Sequence, residues 1–311
     1  MRPERLAQRP RGAVARALAA GIATENAAGT AVRAAIRAFA GTAAFAVALA
    51  QGGNLSLASG VYGGTLGAGG ATAAERSAFG QNPASLRPHT SGLRLDFHRP
   101  FGVAGLRVGE AGAYADMDRV GVAVDWRATE ITGLFSEQGV QFAPALRLGD
   151  AHGWPGPVDL GFAAAAWRSE WPGGRVEWSY AQAWGAAWRP VPRLKVGAFA
   201  AGLPAHSGEA RMDRILQAGL EAGNGDPESA SQILRLDFRR TGDAPWRALA
   251  SLSLRPHPAV EATAGLSVPP FQASFGCRFA WGGARVSQAV RYHRYLGRTW
   301  LSGIAYSRPL P

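Results

Sequence analysis

The sequence predicts an all-β chain: a transmembrane antiparallel β-barrel of about 14 strands, with an N-terminal segment inside or capping its lumen. Three observations lead there. Apolar and polar residues alternate with period two, in segments of about ten residues, from position 91 onward. A basic stretch, a short apolar run and a small-residue site near the N-terminus have the order of an export signal. No apolar run reaches the eighteen or so residues that a membrane-spanning helix needs.

Residues 1–50 read as a leader. Residues 1–32 are rich in alanine and arginine and hold no aromatic residue. Arg33 and Arg37 then precede thirteen uncharged residues, Ala38 to Ala50, ending Ala48-Leu49-Ala50. Thirteen residues are too few to cross a bilayer as a helix. The expectation is a signal peptide cleaved after Ala50, which puts the mature chain outside the cytoplasm.

Residues 51–90 form a glycine-rich segment, dense at Gly60, Gly63, Gly64, Gly67, Gly69 and Gly70. No strand precedes it and the G-x-G-x-x-G spacing is missing, so a linker fits better than a phosphate cradle. Ala71 to Phe79 suits a short helix. Pro83 biases Asn82 away from the helical region and ends it.

The barrel domain is expected over 91–311. Strands are placed near 92–98, 103–113, 118–128, 138–148, 157–168, 175–188, 193–201, 213–223, 231–240, 245–254, 259–267, 271–280, 284–293 and 299–306. The alternation is plainest near the end, where Phe271, Ala273, Phe275, Cys277 and Phe279 alternate with Gln272, Ser274, Gly276 and Arg278. Thr129–Glu137 and Gly202–Met212 read as longer loops, and Arg255–Pro258 and Trp281–Gly283 as tight turns. Such asymmetry suits a barrel with one looped rim, although Gly149–Gly156 is long for the opposite rim. Trp154, Trp171, Trp188, Trp246, Trp281 and Trp300 fall near strand ends, where indole favours the membrane interface; Trp178 and Trp184 fall mid-strand.

A soluble sandwich would give the same alternation, with its apolar faces turned to a core. The export signal, the lack of a long apolar helix and the number of two-faced strands favour the closed barrel, which alone satisfies every backbone group in lipid.

Composition excludes several functions. The formal charge of +11 falls to +6 without residues 1–50, which hold seven arginines against Glu4 and Glu25. The remaining basic residues are scattered along strands, so no nucleic-acid partner is expected. One cysteine, Cys277, makes neither a disulfide framework nor a zinc site. The sequence carries no nucleophile elbow, zincin helix, P-loop or EF-hand, and its six histidines are far apart. No catalytic residue, metal or cofactor is expected.

Arg247, Glu261, Arg278, Arg285 and Arg291 all fall on the polar face of consecutive late strands and are the candidate lumen-facing residues. They suit either a hydrogen-bonded ladder that fills a narrow interior or a selectivity surface for anionic or amphiphilic solutes.

The stretch Ala73–Leu86, with Asn82-Pro83-Ala84 at its centre, resembles the N-terminal signature of FadL/PorV-type outer-membrane barrels. Tyr292, His293, Leu296, Gly297 and Thr299 resemble the last hairpin of PorV-like barrels. Leu252–Pro256 through Leu266 is also similar to their late strand pairs. The resemblance spans about 71–306 as a layout, with only these pieces motif-like. It implies a fourteen-stranded barrel with a luminal N-terminal segment in the outer membrane of a Gram-negative-type bacterium. Two departures stand out: the segment before Asn82 is shorter and richer in glycine than the family's, and Arg308 takes an apolar slot of the last strand.

Three readings of function follow. One is a channel or carrier for hydrophobic or amphiphilic small molecules, surrounded by outer-membrane lipid and gated by the N-terminal segment. Another is a PorV-like, non-enzymatic partner that receives secreted proteins at the cell surface. The third is a soluble periplasmic β-sandwich with a structural role.

Overall fold

The computed structural model describes residues 70, 72, 81–84, 86, 89–103, 105–148, 155–203, 214–225 and 230–310. The expected leader over 1–50, the glycine-rich stretch to Gly69, most of the short helix over Ala71–Phe79, most of the Gly202–Met212 loop, and His152, Trp154 and His206 lie outside them.

Fourteen strands follow one another. They are β1 (Thr90–Arg99), β2 (Leu106–Asp116), β3 (Val120–Ile131), β4 (Phe135–Leu148), β5 (Val158–Glu170), β6 (Val176–Val191) and β7 (Leu194–Leu203), then β8 (Ile215–Gly223), β9 (Gln232–Thr241), β10 (Arg247–His257), β11 (Val260–Val268), β12 (Gln272–Trp281), β13 (Ala284–His293) and β14 (Gly297–Pro309). Each pairs antiparallel with its neighbours in sequence, and β1 closes on β14 from Thr90 opposite Pro309 to Arg99 opposite Trp300. Closure leaves the sheet without an open edge.

The two faces of each strand settle where this barrel lives. On β1, Leu93, Leu95 and Phe97 are 60%, 49% and 62% exposed, whereas Arg94, Asp96 and His98 are 7%, 0% and 4% exposed. On β3, Val120, Val122, Val124 and Trp126 point out while Gly121, Ala123, Asp125 and Arg127 point in. Water would make this arrangement costly at about 25 cal/mol per Å² of apolar surface. A lipid surround makes it favourable. The sandwich alternative fails because its apolar faces would be buried. A ten-residue strand tilted by about 40° rises about 25 Å, which matches the apolar band of a membrane barrel.

One rim carries Thr90 and Pro309 and is called the terminal rim here; the other is the loop rim. On the terminal rim, β12 and β13 are joined by Gly282-Gly283, and the positive φ of Gly282 (58°) is what a two-residue hairpin turn requires. Two expectations about connections change. The Thr129–Glu137 loop is instead a three-residue turn, 132–134, because the alternation runs on through Ile131 and restarts at Phe135. Long connections are also not confined to one rim, since Leu148 to Val158 and Gly223 to Gln232 both join strands whose ends are at the terminal rim. Aromatic residues mark both rims: Trp171 and Trp246 at the loop rim, Trp281 at the terminal rim, the last 90% exposed. Trp178 lies two residues inside β6, nearer the loop rim than its expected mid-strand place.

Candidate functional site: the barrel lumen

The inward faces divide the lumen into two arcs. Along β3 to β6 small inward residues gather around the middle of the wall, flanked by the larger Gln141 and Trp167 and by the charged Asp125, Arg127, Arg147 and Asp159. Ala123, Ala143, Ala163 and Ala183 form a buried cluster, with Tyr114 and Ala201 packed against it. Gly121, Gly161 and Gly185 lie on the same arc, closer to the terminal rim.

The residues before β1 occupy the space that these glycines leave. Asn82 is 2% exposed; its Nδ2 donates to the carbonyl of Ala186 at 2.8 Å and to that of Ala198 at 3.1 Å. Its Oδ1 accepts from the Ala84 amide at 2.9 Å, a local turn that uses up the rest of the side chain. A Cβ at Gly185 would run into the Asn82 side chain, one at Gly161 into the Pro83–Ala84 backbone, and one at Gly121 into Leu86 and Asp116. Arg147 holds Asp159 through Nε at 2.7 Å and Nη2 at 3.0 Å, and Nη2 also reaches the Leu86 carbonyl at 3.4 Å. Residues 81–84 and Leu86 therefore cross the alanine and glycine arc inside the lumen near the terminal rim.

Ionic groups line the rest of the lumen, one of them on β1 to β3 beside the alanine cluster and others on β8 to β12 across from it. Arg94 on β1 reaches Asp96 at 3.1 Å, Asp125 at 3.3 Å and Glu110 at 3.7 Å, and Arg127 reaches Glu110 at 3.7 Å. Arg235 on β9 holds Glu221 at 2.6 Å and donates to Ser253 Oγ at 2.9 Å. Ser253 in turn contacts Thr263 Oγ1 at 3.1 Å. Buried charges persist where each has a partner and a hydrogen bond. Arg235 with Glu221 on the neighbouring strand and Arg94 with Asp125 two strands away meet that condition, whereas Glu110, among the described residues, is held by the charges of Arg94 and Arg127 alone.

The residues singled out in the sequence are spread over β10 to β13. Arg247, Glu261, Arg278, Arg285 and Arg291 all occupy inward strand positions. Glu261 accepts from Arg255 Nε at 2.6 Å and from Arg278 Nη2, one tight cluster on β10 to β12. Arg247 and Arg291 stand outside that cluster. Arg255 lies beyond the strand that the alternation predicts to end at Leu254; β10 continues to His257 through an irregularity in its pairing with β11. The Arg94, Asp96, Glu110, Asp125 and Arg127 group was also missed. Its signal is the same inward parity on β1 to β3.

The last-hairpin residues have local structural work. His293 Nδ1 accepts from the Tyr295 and Leu296 amides, both at 3.2 Å, and so fixes the β13–β14 turn. Gly297 has φ of 87°, which a side chain would resist. Thr299 is fully buried; its Oγ1 accepts from the Phe101 amide at 3.1 Å. The Phe101 ring packs edge-on against His293 with centroids 5.8 Å apart. The β1–β2 connection is thereby stapled to the last hairpin at the loop rim. Tyr292 and Leu296 point outward and are about half exposed.

A groove of about 850 Å³ lies on the outer wall between Val122, Leu146, Leu160, Phe162 and Trp184, where Pro144, Ala186 and Ala198 leave the surface low. It faces the lipid side and is separate from the lumen.

Comparison with known proteins finds no matching family model and no matching curated protein. Among solved structures the chain is similar to the Acinetobacter baumannii outer membrane protein Omp33, with a TM-score of 0.46 and 10% identity, over 71% of this chain and 99% of that one. It is likewise similar to a mutant Rh. blastica porin, with a TM-score of 0.38 and 10% identity, over 70% and 99%. Closure of fourteen antiparallel strands, an apolar outer wall and an ionic interior define the class: the chain is a transmembrane β-barrel of the outer-membrane type. The FadL/PorV resemblance rests on Asn82–Ala84 and the 292–300 hairpin.

Proposed function

We propose that this barrel is a channel or carrier for small amphiphilic molecules across the outer membrane of a Gram-negative-type bacterium. The supporting observation is the two-sided lumen, in which an alanine cluster (Ala123, Ala143, Ala163, Ala183) on β3 to β6 faces ionic groups built on Arg235 and Glu261 on β8 to β12. A solute with one apolar and one polar end finds a surface for each. The ionic groups disfavour a purely hydrophobic cargo, because such a cargo would strip water from charged groups without replacing their contacts. The Asn82 segment lies where it narrows the terminal-rim mouth, and the resemblance to FadL/PorV barrels supports the same role.

The test is electrical. The protein is refolded in detergent, its closed state checked by faster migration when unboiled, and inserted in a planar bilayer. Discrete conductance steps are expected, larger after residues 51–86 are removed. A heat-modifiable, correctly folded barrel that passes no ion and no amphiphile in either form ends the transport reading.

A further inference from the structure

Among the described residues, the ionic groups on β1 to β3 and β8 to β12 compensate their own charges, whereas a group of arginines at the loop rim does not. Arg239 on β9 and Arg247 on β10 are direct register partners, both inward, flanking the connection between those strands. Arg291 is inward on β13, two residues below the His293 turn. Among the described residues none of the three guanidinium groups has an ion-pair partner. Arg291 is 4% exposed, and its Nε and Nη2 make no hydrogen bond. The charge of Arg247 acts on Arg239, and that of Arg239 on Arg291, so the groups share one neighbourhood.

The strands between them leave that neighbourhood open. From Arg291 the register runs through the small, uncharged Ser274 on β12, Gly265 on β11 and Ser251 on β10 to Arg235 on β9, which Glu221 holds, and Leu249 is the inward residue between Ser251 and Arg247. Ser251 is 3% exposed and its hydroxyl has no partner among the described residues. One carboxylate, Asp237, acts on this group: it neighbours Arg239 and also accepts from the Gln217 amide, so one carboxylate faces three guanidinium groups. Glu261 is engaged elsewhere, held by Arg255 and Arg278. Arg291 is buried and Arg239 and Arg247 are half-buried, and three like charges gathered there against one carboxylate raise the free energy of the site unless an anion joins them.

We propose that Arg239, Arg247 and Arg291, with the Ser251 hydroxyl, form an oxyanion-binding site just inside the loop-rim mouth. Its ligand is a phosphate or carboxylate group. Guanidinium forks match the paired oxygens of such groups, and a serine hydroxyl adds a neutral donor. Within the transport reading, this site selects amphiphiles whose polar end is an oxyanion, but the binding itself does not depend on transport.

Calorimetry on the folded barrel in neutral detergent, titrated with inorganic phosphate and separately with octyl phosphate, tests it. Saturable binding of phosphate is expected, weakened at least about tenfold by Arg291→Gln and independently by Arg239→Gln, and unchanged by Arg308→Gln on the outer wall. Equal affinity for the two probes assigns recognition to the oxyanion alone, and tighter octyl phosphate binding adds the alanine arc. Absence of binding to both probes overturns the site, as does binding that survives both arginine changes in variants that still shift on the gel. Conductance of the same preparation separates the two ideas. Binding without conductance leaves the site and removes transport; conductance without binding does the reverse.

Discussion

The Asn82 side chain donates to the Ala186 carbonyl at 2.8 Å, joining the segment before β1 to the wall of β6 across 104 residues of sequence. A second bond to Ala198 on β7 makes the amide a clamp across two strands. The glycine opposite, Gly185, is what lets the clamp approach.

Asn82→Ala removes both bonds and leaves two luminal carbonyls with one partner fewer. Loss of such bonds costs about 1–3 kcal/mol, so release of the segment becomes roughly tenfold more frequent. The readout is the trypsin cleavage rate at Arg76 in the folded barrel. Gly185→Ala reaches the same end from the wall side, since its new Cβ meets the Asn82 side chain. Cleavage that stays slow in both variants would mean the segment is held by something other than this clamp.

The fold was largely legible because period two survives in nearly every strand, and inward parity alone assigns Arg247, Glu261, Arg278, Arg285 and Arg291 to one face. What stayed hidden depends on where that face leads. Parity places Arg247 beside Arg239 only once the register of β9 and β10 is known, and it says nothing of Arg291 four strands away. The small inward residues of β3 to β6 were equally silent. An alanine or glycine on a polar face reads as a weak strand position until a segment is found lying on it, as Asn82–Ala84 lies on Gly161 and Gly185. Strand ends were the least legible part. At Ile131 and His257 turn-forming residues follow the alternation closely, and the pairing continues past the point where the pattern weakens.

Placement in lipid gives the outer wall a depth-dependent tolerance to charge. Val124 is outward in the middle of β3, and Val268 is outward at the loop-rim end of β11. Val124→Arg is expected to destabilise the barrel by about 2–4 kcal/mol and Val268→Arg by about 0–1 kcal/mol. Urea titrations of folding into vesicles measure both. In a water-soluble barrel the two positions, already exposed, would tolerate arginine equally. Equal midpoints for the two variants would therefore remove the membrane assignment.

Glu261 is the only carboxylate among the described residues that is shared by Arg255 and Arg278, so its charge fixes the balance of the β10 to β12 wall. Glu261→Gln keeps the shape and adds one positive charge to the lumen. The two arginine side chains are 18% and 17% exposed, which lets water take over part of the lost contact. The stability cost is therefore expected below the 3–5 kcal/mol of a fully buried broken pair, at about 1–3 kcal/mol. Selectivity should change more visibly than stability. An added positive charge in a narrow, low-dielectric passage raises anion over cation permeability, and the reversal potential under a potassium chloride gradient shifts accordingly. Adding Arg278→Gln to the same chain removes that charge again and should return the reversal potential toward its original value. If conductance persists while the reversal potential ignores both changes, ions do not pass the Glu261 wall, and the conducting path must run along the alanine arc instead.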